Sequence, residues 1–108
     1  MKKHTKIYLQ SLGYDLGDPN QFIQSELGGK AVDLHHIVDR DNRIENLIAL
    51  TREQHQKHGE VKKDMCMLLR THRDFLIINS VEFDNNWFKD KISSVSYTHL
   101  TLPTKRIV

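Results

Sequence analysis

Four of the seven histidines of this chain lie between positions 35 and 58. His35 and His36 are adjacent, whereas His55 and His58 are three positions apart. Imidazole nitrogens are common ligands of divalent transition metals, so two histidine pairs on facing elements would form a cup for one metal ion. The clustering therefore favours a fold that brings position 35 close to position 55.

The first pair lies in a predicted strand. Residues 31–37, AVDLHHI, alternate between two sides and are bounded by Gly29 and by the polar run that follows. This alternation is typical of a strand, in which His35 and His36 face opposite ways. Residues 47–50 form a short apolar run, which predicts a second strand.

The second pair lies in a predicted helix. Thr51 is followed three residues later by Gln54. This is the capping-box pattern, in which the hydroxyl and the amide each satisfy a backbone N–H group at a helix start. The helix is therefore expected to begin at Arg52. Within it His55 and His58 would share one face, and their imidazoles would converge.

The flanking segments have weaker patterns. Residues 4–12 predict a short helix or an irregular lead, and residues 18–30 predict a loop or the start of a hairpin because they are rich in turn formers. Residues 61–78 predict an amphipathic helix that packs on the core. His72 lies on the apolar stripe of that helix, where we expect a packed, hydrogen-bonded histidine and not a ligand. Residues 81–92 carry no clear pattern.

Length and composition indicate one globular domain. The chain has 108 residues, of which 38% are hydrophobic and 28% are charged, as in ordinary soluble proteins. It lacks an apolar stretch of membrane-spanning length and the apolar centre of a signal peptide, so we expect a cytoplasmic protein with no membrane partner. The single cysteine, Cys66, excludes an internal disulfide.

Residues 94–108 differ in character from the rest. The run VSYTHLTLPT in this segment resembles the in-frame translation of a transposase-type sequencing-library adapter, so we interpret residues 1–93 as the domain and 94–108 as a non-native tail. The alternative is a short C-terminal strand. Two of the 16 basic residues and none of the 14 acidic residues lie in this tail, which leaves 1–93 with a net charge of zero. Such neutrality predicts weak DNA binding or help from a protein partner.

The motifs DLHHI and NLIALTREQHQKH, at 33–37 and 46–58, resemble those of the HNH endonuclease family, including its small phage-encoded members. In that family a strand carries an Asp-His or His-His pair, a loop leads to an asparagine, and a helix places a histidine nine positions later. Asn46 and His55 have that spacing. The motifs therefore match the family in spacing as well as in residue type.

The resemblance implies a fold of the α+β class with a ββα-metal core, of the His-Me finger type, and flanking helices. The core would cover about residues 26–60, and a packing helix would cover about 61–78. The implied activity is metal-dependent hydrolysis of phosphodiester bonds in DNA, with RNA as an alternative substrate. The expected setting is the cytoplasm of a bacterial host or of a phage-infected cell.

The resemblance also implies roles for single residues. His35 and His55 take the positions of metal ligands, and His58 is the candidate third ligand. His36 takes the position of the general base that removes a proton from water. Asn46 takes the position of the asparagine that fixes the loop and helps to orient the base. The alternatives are a solvated His58, a turn-forming Asn46, and a core or surface role for one histidine of the first pair.

Arg40, Arg43 and Arg52 flank the proposed cup and are candidates for contacts with DNA phosphates, which guanidinium groups bind through two hydrogen bonds. The alternative is that these arginines are only solvated, and we take Arg40 and Arg52 as the candidates. The implied cofactor is one divalent metal ion. A site made mostly of imidazole favours zinc, nickel or manganese by ligand softness, and abundant magnesium is a further candidate.

Two other interpretations stay open. The chain could be an HNH-like metal- and DNA-binding module that has lost catalysis and acts with a partner. It could also hold a purely structural metal in a site whose four histidines fill every coordination position. The position of His36 distinguishes these interpretations, because a general base contacts solvent near the metal and does not bind it.

Overall fold

The computed structural model describes residues 2–17, 23–31, 33–59 and 61–99. Its main elements in chain order are α1 (Lys3–Ser11), β1 (Asp33–His36), β2 (Leu47–Leu50), α2 (Arg52–Gln54), α3 (Met65–Ile78) and α4 (Asn85–His99). Short 3₁₀ turns lie at Ile44–Asn46 and Lys62–Asp64, and a π-helical segment lies at His55–Gly59. This architecture confirms the α+β class. Of the predicted loop at 18–30, residues 18–22 lie outside the described part of the chain.

The two predicted strands are confirmed as β1 and β2, which pair antiparallel. His35 lies opposite Ile48, and His36 lies opposite Leu47. Directly opposed residues of an antiparallel pair project from the same face of the sheet. His35 therefore shares one face with Ile48, and His36 shares the other face with Leu47.

Both faces of β2 are covered, which explains why its sequence, LIAL, is apolar without alternation. On one face, Ile48 and Leu50 belong to a cluster built from α3 and α4. On the other face, Leu47 and Ala49 pack with Tyr8 of α1. The sheet is thus held between α1 on one side and the pair α3 and α4 on the other.

The predicted packing helix is confirmed for Met65–Ile78. Leu68, Leu69, His72 and Leu76 are its buried residues, at the spacing of one helical face. The side chain of His72 has no exposed surface and is hydrogen-bonded through both ring nitrogens. The expectation of a packed histidine at this position is therefore confirmed.

Helix α4 includes part of the segment 81–92, which carries no clear sequence pattern. Trp87 and Phe88 are buried against the α3 cluster and anchor the helix there. The helix continues to His99, so the described part of 94–108 is helical and does not form the alternative strand. None of the helices in the described ranges is long and apolar enough to cross a membrane.

The helix start after β2 is confirmed in detail. The Thr51 hydroxyl accepts a hydrogen bond from the Gln54 N–H group at 3.1 Å, and the Gln54 side chain accepts one from the Thr51 N–H group at 2.9 Å. The α-helix spans only Arg52–Gln54, however, and gives way to the π-helical segment at His55. This change alters the direction in which the following histidines project.

Candidate metal centre

The structure brings the imidazoles of His35 and His55 together. Their ring centroids are 4.8 Å apart and their planes are inclined by 50°. His35 lies on β1 and His55 begins the π-helical segment, so the pair joins the two elements that the sequence predicts to face each other. Both rings line a cleft of about 400 Å³, whose wall also includes His36, Arg40 and Met65.

Asp33 orients the ring of His55. Its Oδ2 atom lies 3.1 Å from Nδ1 of His55. A carboxylate at one ring nitrogen fixes the orientation of an imidazole and leaves its other nitrogen for a metal, as is common for histidine ligands. Asp33 is absent from the predicted ligand set, and its contact with His55 gives it a supporting position instead.

Gly59 makes the close approach of the two rings possible. A Cβ atom added at Gly59 would lie 2.5 Å from Cδ2 of His55 and 3.4 Å from Cε1 of His35. The first distance is far below van der Waals contact, so a larger residue would displace the His55 ring. The position of Gly59 beside the rings depends on the π-helical backbone of His55–Gly59.

The geometry of the His35–His55 pair fits a shared metal ion. Two imidazoles on one tetrahedral zinc, with bonds of about 2.1 Å, would have centroids roughly 5 Å apart, close to the 4.8 Å of this pair. Within the described ranges, no group of three or more His, Cys, Asp and Glu side chains is arranged to hold a metal. An ion held here by these two imidazoles would have its remaining coordination positions filled by water or other oxygen ligands.

His58 does not join this pair. Its Nδ1 atom lies 2.8 Å from Oδ2 of Asp64, and His58 is not among the described residues that line the cleft. The physical reason is the π-helical segment, because its i→i+5 hydrogen bonds widen the turn and residues three apart no longer share a face. The predicted convergence of His55 and His58 is corrected accordingly, and the candidate site excludes His58.

His36 projects from the opposite face of β1 and also lines the cleft. Its Nε2 atom lies 2.8 Å from Oδ1 of Asn42. Because that oxygen can only accept, Nε2 carries the proton and Nδ1 of the neutral ring keeps the lone pair. A neutral imidazole held in one orientation with one lone pair can act as a general base. The four histidines therefore do not fill a single closed metal site among the described residues.

Asn46 holds the loop that follows β1. Its side chain has no exposed surface, and its Oδ1 atom accepts a hydrogen bond from the Val38 N–H group at 3.0 Å. Its Nδ2 atom donates to two carbonyl oxygens of residues 39–41, at 2.9 and 3.0 Å. This loop leads to Asn42, so Asn46 positions the partner of His36. The side chain of Asn46 is completely buried, and its hydrogen bonds hold this loop in place.

His4 is a neighbour of the site that the sequence analysis missed. Its ring centroid lies 5.1 Å from that of His36, with the planes inclined by 54°. The pKa of His4 is lowered, chiefly because burial disfavours the charged ring and further because of the charges of His36 and Lys2. No local signal connects position 4 with position 36, since the packing of α1 against the sheet alone brings them together.

The predicted phosphate-binding arginines differ in position. Arg40 is exposed and lines the cleft, whereas Arg52 is exposed at the start of α2 and is not among the described cleft residues. Arg43 is engaged elsewhere, with Nε 3.0 Å from Oε1 of Glu45 and its guanidinium over the Trp87 ring. Arg40 is therefore the arginine best placed to meet a phosphate at the cleft.

Comparison of the chain with protein-family models, with curated proteins and with solved structures found no match. Its function is therefore inferred from the arrangement of its own side chains. The arrangement has three components: an imidazole pair that fits a metal ion, an oriented imidazole at the same cleft, and an arginine at the rim.

Proposed function

We propose that this chain is a metal-dependent endonuclease of the HNH type that hydrolyses phosphodiester bonds in DNA. The proposal rests on one observation: His35 and His55 meet in one cleft, and His36 lines the same cleft. These three residues occupy the positions at which the HNH resemblance places two metal ligands and the base. The order of two antiparallel strands followed by a helical segment supports the same assignment.

His35 and His55 would hold one divalent ion, and Asp33 would keep the His55 ring in place. When bound, the ion supplies Lewis-acid stabilisation of the negative charge on the phosphate and leaving oxygens. Imidazole ligands favour zinc, nickel or manganese. Magnesium is often held largely by substrate phosphates and can also support turnover.

His36 would act as the general base. Its Nδ1 lone pair accepts a proton from a water molecule, whose oxygen then forms a bond to phosphorus. The bond between phosphorus and the leaving oxygen breaks on the opposite side, and that oxygen takes a proton from solvent. Asn42 holds the His36 ring through its Nε2–H group, and Asn46 holds the loop that leads to Asn42. General base catalysis of this kind contributes about 10² to 10⁴ in rate.

DNA would approach the cleft at Arg40, with Arg52 available for a further phosphate contact. The balanced charge of residues 1–93 favours a second candidate function, a metal- and DNA-binding module that acts with a protein partner. The same balance predicts low DNA affinity for the nuclease itself. Either protein would act in the cytoplasm of a bacterial host or of a phage-infected cell.

Cleavage of supercoiled plasmid by the full chain tests the proposal. Reactions contain EDTA, magnesium, manganese, zinc or nickel, and compare the wild type with His36→Ala. We expect nicking that requires a metal and falls by roughly 10² to 10⁴ in His36→Ala. Gln56→Ala, an exposed substitution in the π-helical segment, is the control and should keep the wild-type rate.

Two results would count against the nuclease. A folded protein that binds metal but cleaves nothing with any of these ions would favour the binding module. Nicking that persists in EDTA, or at the wild-type rate in His36→Ala, would reject a mechanism based on the metal and this base.

A further inference from the structure

The His4–His36 pair repeats the geometry of the His35–His55 pair on the other face of β1. The centroid separations are 5.1 and 4.8 Å, and the interplanar angles are 54° and 50°. Both separations match the roughly 5 Å expected for two imidazoles on one tetrahedral ion. Two similar imidazole pairs therefore stand on opposite sides of a single strand.

We propose that His4 and His36 form a second binding site, for a soft divalent transition-metal ion such as Zn²⁺ or Ni²⁺. The hydrogen bond from Nε2 of His36 to Asn42 leaves the Nδ1 lone pair of His36 as a donor to the ion. The neutral form of the His4 ring likewise carries one lone pair on a ring nitrogen. Each ring thus has one nitrogen in the state that metal binding needs.

The surroundings of the pair select soft ions over hard ones. Among the described residues, the two rings contact each other, His36 is hydrogen-bonded to the amide of Asn42, and no ion pair joins either ring to a carboxylate. Magnesium and calcium need several oxygen ligands, whereas zinc, nickel and copper bind well to imidazole. The second site should therefore stay empty in magnesium alone and fill when zinc or nickel is added.

Filling the second site would disable the base. While the Nδ1 lone pair of His36 is bound to a metal ion, it cannot accept a proton from water. Zinc at this site would then inhibit the reaction that an ion at His35 and His55 supports. The inhibition rests on the proposed function, but the binding of the second ion does not.

Calorimetric titration of the metal-free full chain with Zn²⁺ tests the second site. We expect two equivalents to bind to the wild type. His4→Gln should lose one equivalent, or bind it roughly tenfold or more weakly, while retaining the other. His55→Gln should lose the equivalent that His4→Gln retains, and should retain the equivalent that His4→Gln loses. His58→Gln should still bind two equivalents. A wild type that binds a single equivalent, or a His4→Gln variant that binds two unchanged, would overturn the proposal.

NMR of the wild-type histidine rings gives the same answer without a substitution. With ¹⁵N-labelled histidine, the ring signals of His4 and His36 should shift together as the second equivalent binds, separately from those of His35 and His55. If His4 and His36 do not shift at any Zn²⁺ concentration that binds to the chain, the second site is rejected.

Plasmid nicking separates this proposal from the proposed function. In magnesium, His4→Gln should require roughly tenfold or more zinc than the wild type to halve its own zinc-free nicking rate. Two bound zinc ions without any nicking would retain the second site and reject the nuclease. Nicking with equal zinc inhibition of the wild type and His4→Gln would retain the nuclease and reject the inhibitory role of the pair.

Discussion

The Nδ1 atom of His72 lies 2.7 Å from Oε1 of Glu26, and neither side chain has exposed surface. The Tyr8 hydroxyl donates a hydrogen bond of 2.8 Å to the same carboxylate. The other ring nitrogen of His72 meets the carbonyl oxygen of Ile44. This buried network joins α1, the segment at 23–31, α3 and the turn before β2. It therefore fixes the elements that surround the candidate site.

Removing the carboxylate should be strongly destabilising. Glu26→Leu leaves the His72 ring and the Tyr8 hydroxyl buried without their acceptor. Breaking one partner of such a buried pair costs about 3–5 kcal/mol, which urea denaturation measures as a fall in the free energy of unfolding. Glu53→Leu, on the exposed surface of α2, is the control and should change that free energy by less than about 0.5 kcal/mol. Equal losses in the two variants would contradict this account.

The network also predicts a loss of stability at alkaline pH. Burial, and next the charge of Glu26, raise the pKa of Tyr8 above its ordinary value of about 10. Below about pH 10, Tyr8 is neutral in both the folded and the unfolded chain, and its contribution to the free energy of unfolding is fully present. Above it only the unfolded chain releases the proton, so this residue lowers stability by up to about 1.4 kcal/mol per pH unit.

Denaturation at several pH values between 9 and 11, a range set at roughly one unit on either side of the tyrosine pKa, checks this prediction. Tyr8→Phe should be less stable at neutral pH, because it loses a buried hydrogen bond, but should lose less stability as the pH rises. Tyr14→Phe, which changes a half-buried tyrosine, should retain the alkaline loss of the wild type. Parallel pH curves for the wild type and Tyr8→Phe would show that Tyr8 is not responsible.

Asn46→Ala should loosen the loop that positions His36. The substitution removes the acceptor of the Val38 N–H group and a donor to two loop carbonyl oxygens. An unsatisfied buried polar group lowers the free energy of unfolding by about 1–3 kcal/mol. Amide hydrogen exchange at Val38 should also become faster, because its N–H group loses its acceptor. Asn79→Ala is the control, because it removes an exposed asparagine that donates to the carbonyl oxygen of Phe75. Unchanged exchange at Val38 in Asn46→Ala would contradict the role of Asn46.

Gly59→Ala should disturb the metal centre more than the fold. The added methyl group would lie 2.5 Å from Cδ2 of His55 and would push that ring away from His35. We expect metal binding at this pair to weaken about 10- to 100-fold, as when a supporting contact of a ligand is lost. Gly17→Ala is the matched control, because its Cβ meets only an ordinary contact at 3.5 Å. Wild-type zinc affinity in Gly59→Ala would argue against an ion between the two rings.

The local patterns of the sequence predict the elements that carry the site. Alternation over 31–37 predicts β1, the apolar run 47–50 predicts β2, and Thr51 with Gln54 predicts the helix start. Each of these three predictions depends only on residues within one turn or one strand, whose side chains determine the local backbone conformation. The same local reasoning predicts that His35 and His36 face opposite sides of the strand.

The remaining features depend on packing between distant segments. His4 meets His36 only because α1 packs on the sheet through Tyr8. The π-helical segment turns His58 away from His55, although its sequence also permits an α-helix. Helix α4 was not predicted because the segment 81–92 is too short to show a helical pattern and the helix continues into the segment set aside as a tail.

The most direct test of the central claim is the dependence of plasmid nicking on manganese concentration in His55→Gln and His58→Gln. Both variants remove a histidine of the same segment, and from sequence both histidines are candidate ligands. We predict that His55→Gln needs roughly tenfold or more manganese for half-maximal nicking, whereas His58→Gln follows the wild-type curve. Two results would contradict a metal centre formed by His35 and His55. In one, His58→Gln needs as much manganese as His55→Gln for half-maximal nicking, and in the other, His55→Gln follows the wild-type curve.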